Sequence, residues 1–267
     1  LVISTNGILD QFPFGALIVQ GADSDRINYK KLKYLGLLNP IKRTHTAKMY
    51  LNNNRPFKED DFSVLSYAFS SDETLKNNMI QGFKELPGSL SELLQLQKMF
   101  GLQNVTSRAG IEAKKDQFLS DLDNKFDIIH LALHATSSTQ DKLENKIFFR
   151  TSTGSYDSLY GYELLSHQVL AKLVVLSACE SALGKDVVGE GTYSLSRAFM
   201  QAGTEHVVAS LWEQVDFSSR LINRSFYLNL KEGSNLDQSL LKAKRDYVAQ
   251  ANKYNSHPAY WAGIVVF

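Results

Sequence analysis

Two apolar runs dominate the hydrophobic pattern of this chain: Phe126-Asp-Ile-Ile-His-Leu-Ala-Leu133 and Lys172-Leu-Val-Val-Leu-Ser-Ala178. Neither alternates strictly, which predicts strands buried on both faces, as in a parallel sheet. Residues 61–69, 206–212 and 260–267 continue the strand pattern, and Lys146–Arg150 predicts a short strand. Helical patterns lie between them. Ser89-Leu-Ser-Glu92 reads as a capping box that opens an amphipathic helix, with Leu90, Leu93, Leu94, Leu96 and Met99 as its apolar positions and Gly101 as its stop. Further helices are predicted over 111–121, 192–201, 217–230 and 236–250, with Gly203 and Gly233 as punctuation. A short helix is expected over 159–166, with Leu159, Tyr162 and Leu165 on one side. Asn6-Gly7 predicts a hairpin within residues 1–19, whose second arm is limited by Pro13. Residues 51–60 and 70–78 are polar and read as loops. Strands alternating with helices over most of the length predict an α/β fold with a mostly parallel sheet. With no linker or repeat in view, one domain over 1–267 is expected.

Composition narrows the function classes. The chain has 267 residues, 43% hydrophobic and 21% charged, as in ordinary globular proteins. Its net charge of +1 leaves no electrostatic footprint for nucleic acid or an anionic membrane, so neither is expected as a direct partner. No apolar run approaches the ~20 residues of a membrane span. One cysteine cannot form an intrachain disulfide, which fits a reducing compartment, and a cytoplasmic location is expected. The chain opens at Leu1 directly into a strand-like run, so a piece of a longer protein, lacking its N-terminal region, is expected.

The candidate chemistry follows from where the two main runs end. Cys179, the sole thiol, follows one run, and His134 follows the other. Catalytic groups of open parallel sheets collect at the carboxyl ends of the strands. If the two strands are neighbours, about 4.8 Å apart, a thiol and an imidazole project side by side, as a cysteine nucleophile and its base require. The bland alternative is a small buried hydrophobe. Other chemistries fail on spacing. His130 and His134 are four apart, but Leu131 stands where a zinc helix carries glutamate, and in a strand the two lie roughly 13 Å apart. His130 reads as a satisfied core histidine. No Gly-x-Ser-x-Gly elbow surrounds Ser177 or Ser181. Gly184, Gly189 and Gly191 do not complete a P-loop and read as a flexible loop. His45, His167, His206 and His257 have no nameable partners and read as structural or surface residues. No cofactor or metal is expected.

Five segments in one order carry a family resemblance: Ile129-His-Leu-Ala-Leu-His-Ala135, Leu173-Val-Val-Leu-Ser-Ala-Cys-Glu180, Gly189-Glu-Gly191, Ala209-Ser-Leu-Trp212 with Asp216, and Tyr260-Trp-Ala-Gly263. With Asn6-Gly-Ile-Leu-Asp-Gln-Phe-Pro-Phe-Gly-Ala-Leu17 they resemble CHAT domains. These are caspase-like peptidase domains, usually found after tetratricopeptide (TPR) arrays in bacterial proteins. The resemblance covers nearly the whole chain. It implies a three-layer α/β/α sandwich and the His-then-Cys dyad that caspases, separases and gingipains share. His134 and Cys179 are then the catalytic pair, with the backbone N–H groups of Ala135 and Cys179 as oxyanion donors. Ala135 departs from the glycine of many clan members, but a backbone donor survives that change. Asp216, Glu180 and Glu190 are the implied substrate-binding residues. Asp216 matches an aspartate that selects a basic side chain in separase-like relatives, and it is also placed to cap the helix expected from Phe217. The implied partners are a protein or peptide substrate and an upstream TPR-type domain, or its ligand, as regulator. The alternative function is a silent caspase-like scaffold that binds a protein segment without cutting it.

Overall fold

The computed structural model describes residues 1–5, 9, 12–21, 28–45, 50–51, 61–72, 79–80, 83–136, 145–153, 155–177 and 193–267, with the backbone alone at 79–80 and 193–194. Along the chain the strands are β1 Val2–Ser4, β2 Ile18–Gln20, β3 Lys33–Tyr34, β4 Lys42–Thr44, β5 Val64–Ala68, β6 Met79–Ile80, β7 Phe83–Lys84, β8 Val105–Ala109, β9 Ile128–Ala132, β10 His134–Thr136, β11 Lys146–Arg150, β12 Tyr156–Tyr160, β13 Leu173–Leu176, β14 His206–Ser210 and β15 Ile264–Val266. The helices are α1 Leu35–Leu38, α2 Pro87–Phe100, α3 Lys115–Asp121, α4 Tyr193–Gln201, α5 Asp216–Lys231 and α6 Leu236–Gln250. These residues fall into two compact units, one of residues 61–213 and one of residues 1–60 with 214–267.

In the unit of residues 61–213, five strands pair in parallel in the order β14-β13-β9-β5-β8. The expectation of strands buried on both faces holds. Val64, Leu65, Ile128, Ile129, Val174, Val175, Val207 and Val208 are all buried. Strands β9 and β13 are direct neighbours, with Leu131 opposite Leu176. After β9 the chain leaves this sheet. β10, β11 and β12 form a separate antiparallel ribbon, His134 opposite Phe148 and Ile147 opposite Leu159.

Two local expectations in this unit are corrected by the structure. Residues 159–166 do not form a helix. Leu159 is buried in β12, while Tyr162 and Leu165 are exposed around a single 3₁₀ turn at Glu163–Ser166. Cross-strand pairing with β11 outweighs a helical spacing of only three apolar residues. The capping box at Ser89 does not form either. Pro87 starts α2 two residues earlier, a position where its missing N–H costs nothing. Ser89 Oγ instead donates to the Leu86 carbonyl at 2.7 Å and accepts from the Ser70 N–H at 3.1 Å. Glu92 turns inward, so the buried face of α2 runs through Glu92, Leu93, Leu96 and Phe100, and Leu94 is exposed.

In the other unit, β1, β4 and β15 pair in parallel. Among the described residues of 1–19, no two strands pair with each other as the expected hairpin would. β1 takes β4 as a parallel partner, and β2 pairs antiparallel with β3. Asn6 and Gly7 themselves lie outside the described residues. Helices α5 and α6 pack on each other, and Ile222, Phe226 and Leu230 of one and Leu240, Ala243 and Tyr247 of the other are buried. Gly233, at φ 83°, makes the turn between them. Trp261 of the Tyr260-Trp-Ala-Gly263 motif is fully buried against Tyr34, with ring centroids 5.2 Å apart.

Gly36 of α1 packs directly on Gly15, and a Cβ at Gly36 would stand 2.7 Å from the Gly15 Cα. Backbone has no rotamer with which to yield. Gly36→Ala is therefore expected to lower the unfolding free energy by about 1–3 kcal/mol, the usual range for overpacking, as read from urea denaturation of the two proteins.

Candidate active site

His134 opens β10, two residues past the end of β9. Strand β9 is buried throughout and flanked by β5 and β13, so its carboxyl end is fixed in position. The Phe69 N–H extends the β5 ladder to the Ala132 carbonyl at 3.0 Å, and the Ser177 N–H extends the β13 ladder to the Leu131 carbonyl at 2.9 Å. The His134 ring then enters an aromatic enclosure. Its centroid is 4.5 Å from Phe69 and 4.9 Å from Phe83, and Phe83 in turn touches Phe148 and Tyr156. The ring is fully buried.

The tautomer of His134 follows from its partner. Nε2 lies 2.7 Å from the carbonyl oxygen of Lys84, at the end of β7. A carbonyl can only accept, so Nε2 carries the hydrogen, and in the neutral ring Nδ1 carries the lone pair. Burial pushes the pKa down from 6.5 to about 4, against the raising effects of the Lys84 carbonyl and the Glu85 carboxylate; Arg150 lowers it further. The ring is therefore neutral near pH 7.

A buried polar cluster sits beside it. Arg150 Nη1 donates to Glu85 Oε1 at 2.9 Å, with both side chains almost wholly buried. Ser70 Oγ donates to the other Glu85 oxygen and accepts from the Leu86 N–H at 2.7 Å. The Arg150 guanidinium stacks over Phe69, 5.1 Å from the ring centre. This cluster ties β11 to the segment that follows β7, and so holds the Lys84 carbonyl where it meets His134.

A second buried cluster confirms His130 as a core histidine. Its Nε2 lies 2.9 Å from Glu92 Oε2, and Ser177 Oγ donates to the same oxygen at 2.5 Å. Glu92 thus links α2 to the middle of β9 and to the residue that follows β13. Sequence reasoning assigned Glu92 to a cap and missed this role. The signal was present as a carboxylate on the α2 stripe otherwise made of Ser89, Leu93, Leu96 and Phe100. Among the described residues, no group of three or more His, Cys, Asp or Glu could hold a metal ion.

The remaining candidates divide as follows. Ala135 is buried in β10, opposite Ile147. Cys179, Glu180 and Glu190 lie outside the described residues. Asp216 is the first residue of α5 in the other unit, exposed, and 3.4 Å from Arg220 Nε one turn on. The N-cap position is Val215, so Asp216 is not the cap; its carboxylate complements the helix dipole from inside the first turn. His45 stacks on Phe267, and His257 Nδ1 accepts from the Ala259 N–H at 3.1 Å, both structural contacts.

The parallel sheet with a histidine leaving the carboxyl end of a central strand is the architecture of the caspase-like α/β class. The structure is similar to the Arg-specific cysteine proteinase gingipain R of Porphyromonas gingivalis, with a TM-score of 0.54 and 12% identity over 94% of this chain and 59% of that one. It is also similar to the Saccharomyces cerevisiae separase–securin complex, with a TM-score of 0.54 and 11% identity over 90% of this chain and 15% of that one. The CHAT domain profile matches residues 1–267, and the chain belongs to the CHAT domain family. Tetratricopeptide repeat protein 28 of Mus musculus is 36% identical, and that of Homo sapiens 35% identical, over 104 residues, or 39% of this chain. The chain spans 4% of the length of these curated relatives. TPR association, expected from bacterial proteins, is thus met here in mammalian ones. No described helix is long and apolar enough to cross a membrane.

The depressed pKa of His134 has a consequence for stability. The unfolded chain binds a proton on this ring below pH 6.5, and the folded chain does so only near pH 4. The stability it contributes is full above pH 6.5 and is lost as the pH falls through about 4. At the full depth of that shift the loss is about 3 kcal/mol. Urea titrations between pH 7 and pH 4 are expected to show this slope, and His134→Gln is expected to flatten it.

Proposed function

We propose that residues 1–267 form one peptidase domain, a cysteine endopeptidase in which His134 and Cys179 act as a dyad. The observation that carries the reading is the held tautomer of His134. With Nε2–H bonded to the Lys84 carbonyl, Nδ1 is the proton acceptor. The register adds support. Leu131 of β9 and Leu176 of β13 are cross-strand partners, three residues before His134 and Cys179 respectively in the chain.

In this mechanism His134 takes the thiol proton at Nδ1, and the Cys179 thiolate adds to the scissile carbonyl carbon. The oxyanion that forms is met by the backbone N–H groups of Cys179 and Ala135. The imidazolium returns the proton to the leaving amine, the C–N bond breaks, and an acyl-enzyme remains. Water, deprotonated by the same ring, releases it. Glu180, Glu190 and Asp216 are the substrate-binding residues of this reading. The Arg specificity carried in the name of gingipain R belongs to that protein, and here it supports cleavage after a basic residue. Such a side chain would compete with Arg220 for Asp216, its present partner.

The same histidine supports regulation. A thiol of ordinary pKa near 8.5 gives up its proton to a ring at about 4 only uphill, by roughly 6 kcal/mol. Activation must therefore rehydrate the ring or bring negative charge to it. An upstream TPR-type domain, or the ligand it senses, is the proposed source of that signal.

Cys179→Ala is expected to abolish cleavage of a peptide library while the melting temperature stays within a degree or two. His134→Ala is expected to slow cleavage by about 10²-fold or more. Labelling of Cys179 by a peptide ketone should fall with it. Full labelling without any cleavage in every context would instead mark a silent binding scaffold.

Residues 1–267 alone are expected to turn over casein-like substrates weakly, and more than tenfold faster when the full-length protein is engaged by its regulator. Constitutive high turnover by the isolated chain would remove the gating argument. Asp216→Asn is expected to reduce the preference for Arg over matched Leu substrates by roughly 10-fold or more, the worth of a charge-assisted hydrogen bond. An unchanged preference with a lowered melting temperature would leave Asp216 a helix-terminus residue.

A further inference from the structure

The groups that enclose the His134 ring are neighbours in sequence of one buried ion pair. Lys84, whose carbonyl meets Nε2, is followed directly by Glu85. Phe69, which packs on the imidazole, is followed by Ser70, whose hydroxyl donates to Glu85. Phe148, opposite His134 in the ribbon, lies two residues before Arg150, so Arg150 shares that ribbon face. Arg150 and Glu85 join at 2.9 Å, with side chains 10% and 4% exposed. Main chain holds both in place. The Arg150 N–H donates to the Ala113 carbonyl at 2.9 Å, and Ser70 accepts from the Leu86 N–H while its own N–H donates to Ser89 Oγ. Phe69 is shared between the two groups. Its ring centre is 4.5 Å from that of the imidazole and 5.1 Å from the guanidinium carbon.

A buried ion pair gains little stability over an apolar pair of the same volume. Its charges act strongly on what lies beside them, because water is excluded and screening is weak. We propose that Glu85 and Arg150 are positioning residues that set the basicity of His134, the carboxylate favouring the imidazolium and the guanidinium opposing it. The catalytic consequence rests on the dyad reading; the effect on the ring does not. Burial lowers the pKa of the ring most, the Lys84 carbonyl and Glu85 raise it and Arg150 lowers it, which leaves it at about 4. Other titratable groups on β5, β7, β9, β11 and β12 are engaged elsewhere. Tyr67 bonds to Asp121, Lys84 and Asp157 are exposed, His130 meets Glu92, Lys146 lies over Phe148, Tyr156 meets Phe83 and Tyr160 stacks on Tyr162. Removing one member of the pair therefore leaves the other to act on the ring uncompensated, and the two removals shift it in opposite directions.

The test is an NMR titration of the histidine ring nitrogens in the 1–267 chain carrying Cys179→Ala, which keeps any thiolate out of the measurement. Arg150→Met is expected to raise the titration midpoint of His134 by about 1, the ordinary reach of one neighbouring charge. Glu85→Gln is expected to keep the ring neutral down to the acid limit of the fold. A ring that titrates higher in both variants, as a merely loosened enclosure gives, or that is unmoved in both, would overturn the proposal. Should either variant fail to fold, Arg150→Lys and Glu85→Asp keep the charges and alter the packing. Each is expected to titrate with the Cys179→Ala chain, and a midpoint that climbs toward 6.5 in either refutes control by charge. In the chain that retains its thiol, Arg150→Met is expected to label Cys179 with iodoacetamide about tenfold faster at pH 7, since a base raised by 1 supports about tenfold more thiolate–imidazolium. A shifted ring with unchanged labelling supports the control of His134 and overturns the dyad, whereas an unshifted ring overturns that control whatever the labelling shows.

Discussion

Strand β9 is buried along its whole length between β5 and β13, and the position of His134 depends on that burial. All five of its residues pair with β5 and four of them, Ile128 to Leu131, also pair with β13, both in parallel register. A one-residue slip would turn Ile129 and Leu131 to the opposite face and break the packing on both. Rigidity at this strand is what allows the next residues to peel away into a different ribbon without losing their place. His134 is thus not the last residue of the central sheet. It is the first residue of an antiparallel hairpin layer that the sheet holds in register.

Two buried carboxylates organise the polar atoms around this frame. Glu92 sits under the sheet and joins α2, the middle of β9 and Ser177 after β13. Glu85 sits beside the carboxyl edge and joins Arg150, Ser70 and the Phe69 turn. Each is a carboxyl group taken out of water and met by neighbours, Glu85 by Arg150 and Ser70, Glu92 by the Ser177 hydroxyl and by His130 at ion-pair distance. Both clusters reach strand ends near His134, at Ser177 after β13 and at Arg150 of β11. Both also fix main-chain atoms, and the Lys84 carbonyl sets the tautomer of His134.

The aromatic enclosure of His134 has opposite effects on stability and on reactivity. Packing Phe69 and Phe83 against the imidazole favours the neutral ring and the folded state above pH 6.5. The same packing makes the ring a reluctant proton acceptor for a thiol. In the proposed peptidase reading, a base held in this state stays inactive until its surroundings change.

The sequence by itself determined the elements whose pattern is long or strongly apolar. Strands 128–132, 173–176 and 206–210, and helices 216–231 and 236–250, were legible from periodicity and from Gly203 and Gly233, because burial on two faces or one stripe is written directly in residue type. The place of His134 just past the carboxyl end of a buried strand was legible too, since strand ends are readable from order alone, whereas Cys179 lies outside the described residues. Only the tertiary structure decided the rest. Leu159 became a strand residue because β11 was there to pair with it, and β1 took β4, 40 residues away, as a parallel partner. Glu92 left its cap for His130 and Ser177, and Lys244, an ordinary helix lysine in sequence, became a buried cation beside Arg43. Each of these outcomes rests on a partner distant in the chain, and a local pattern carries no information about which distant group will arrive.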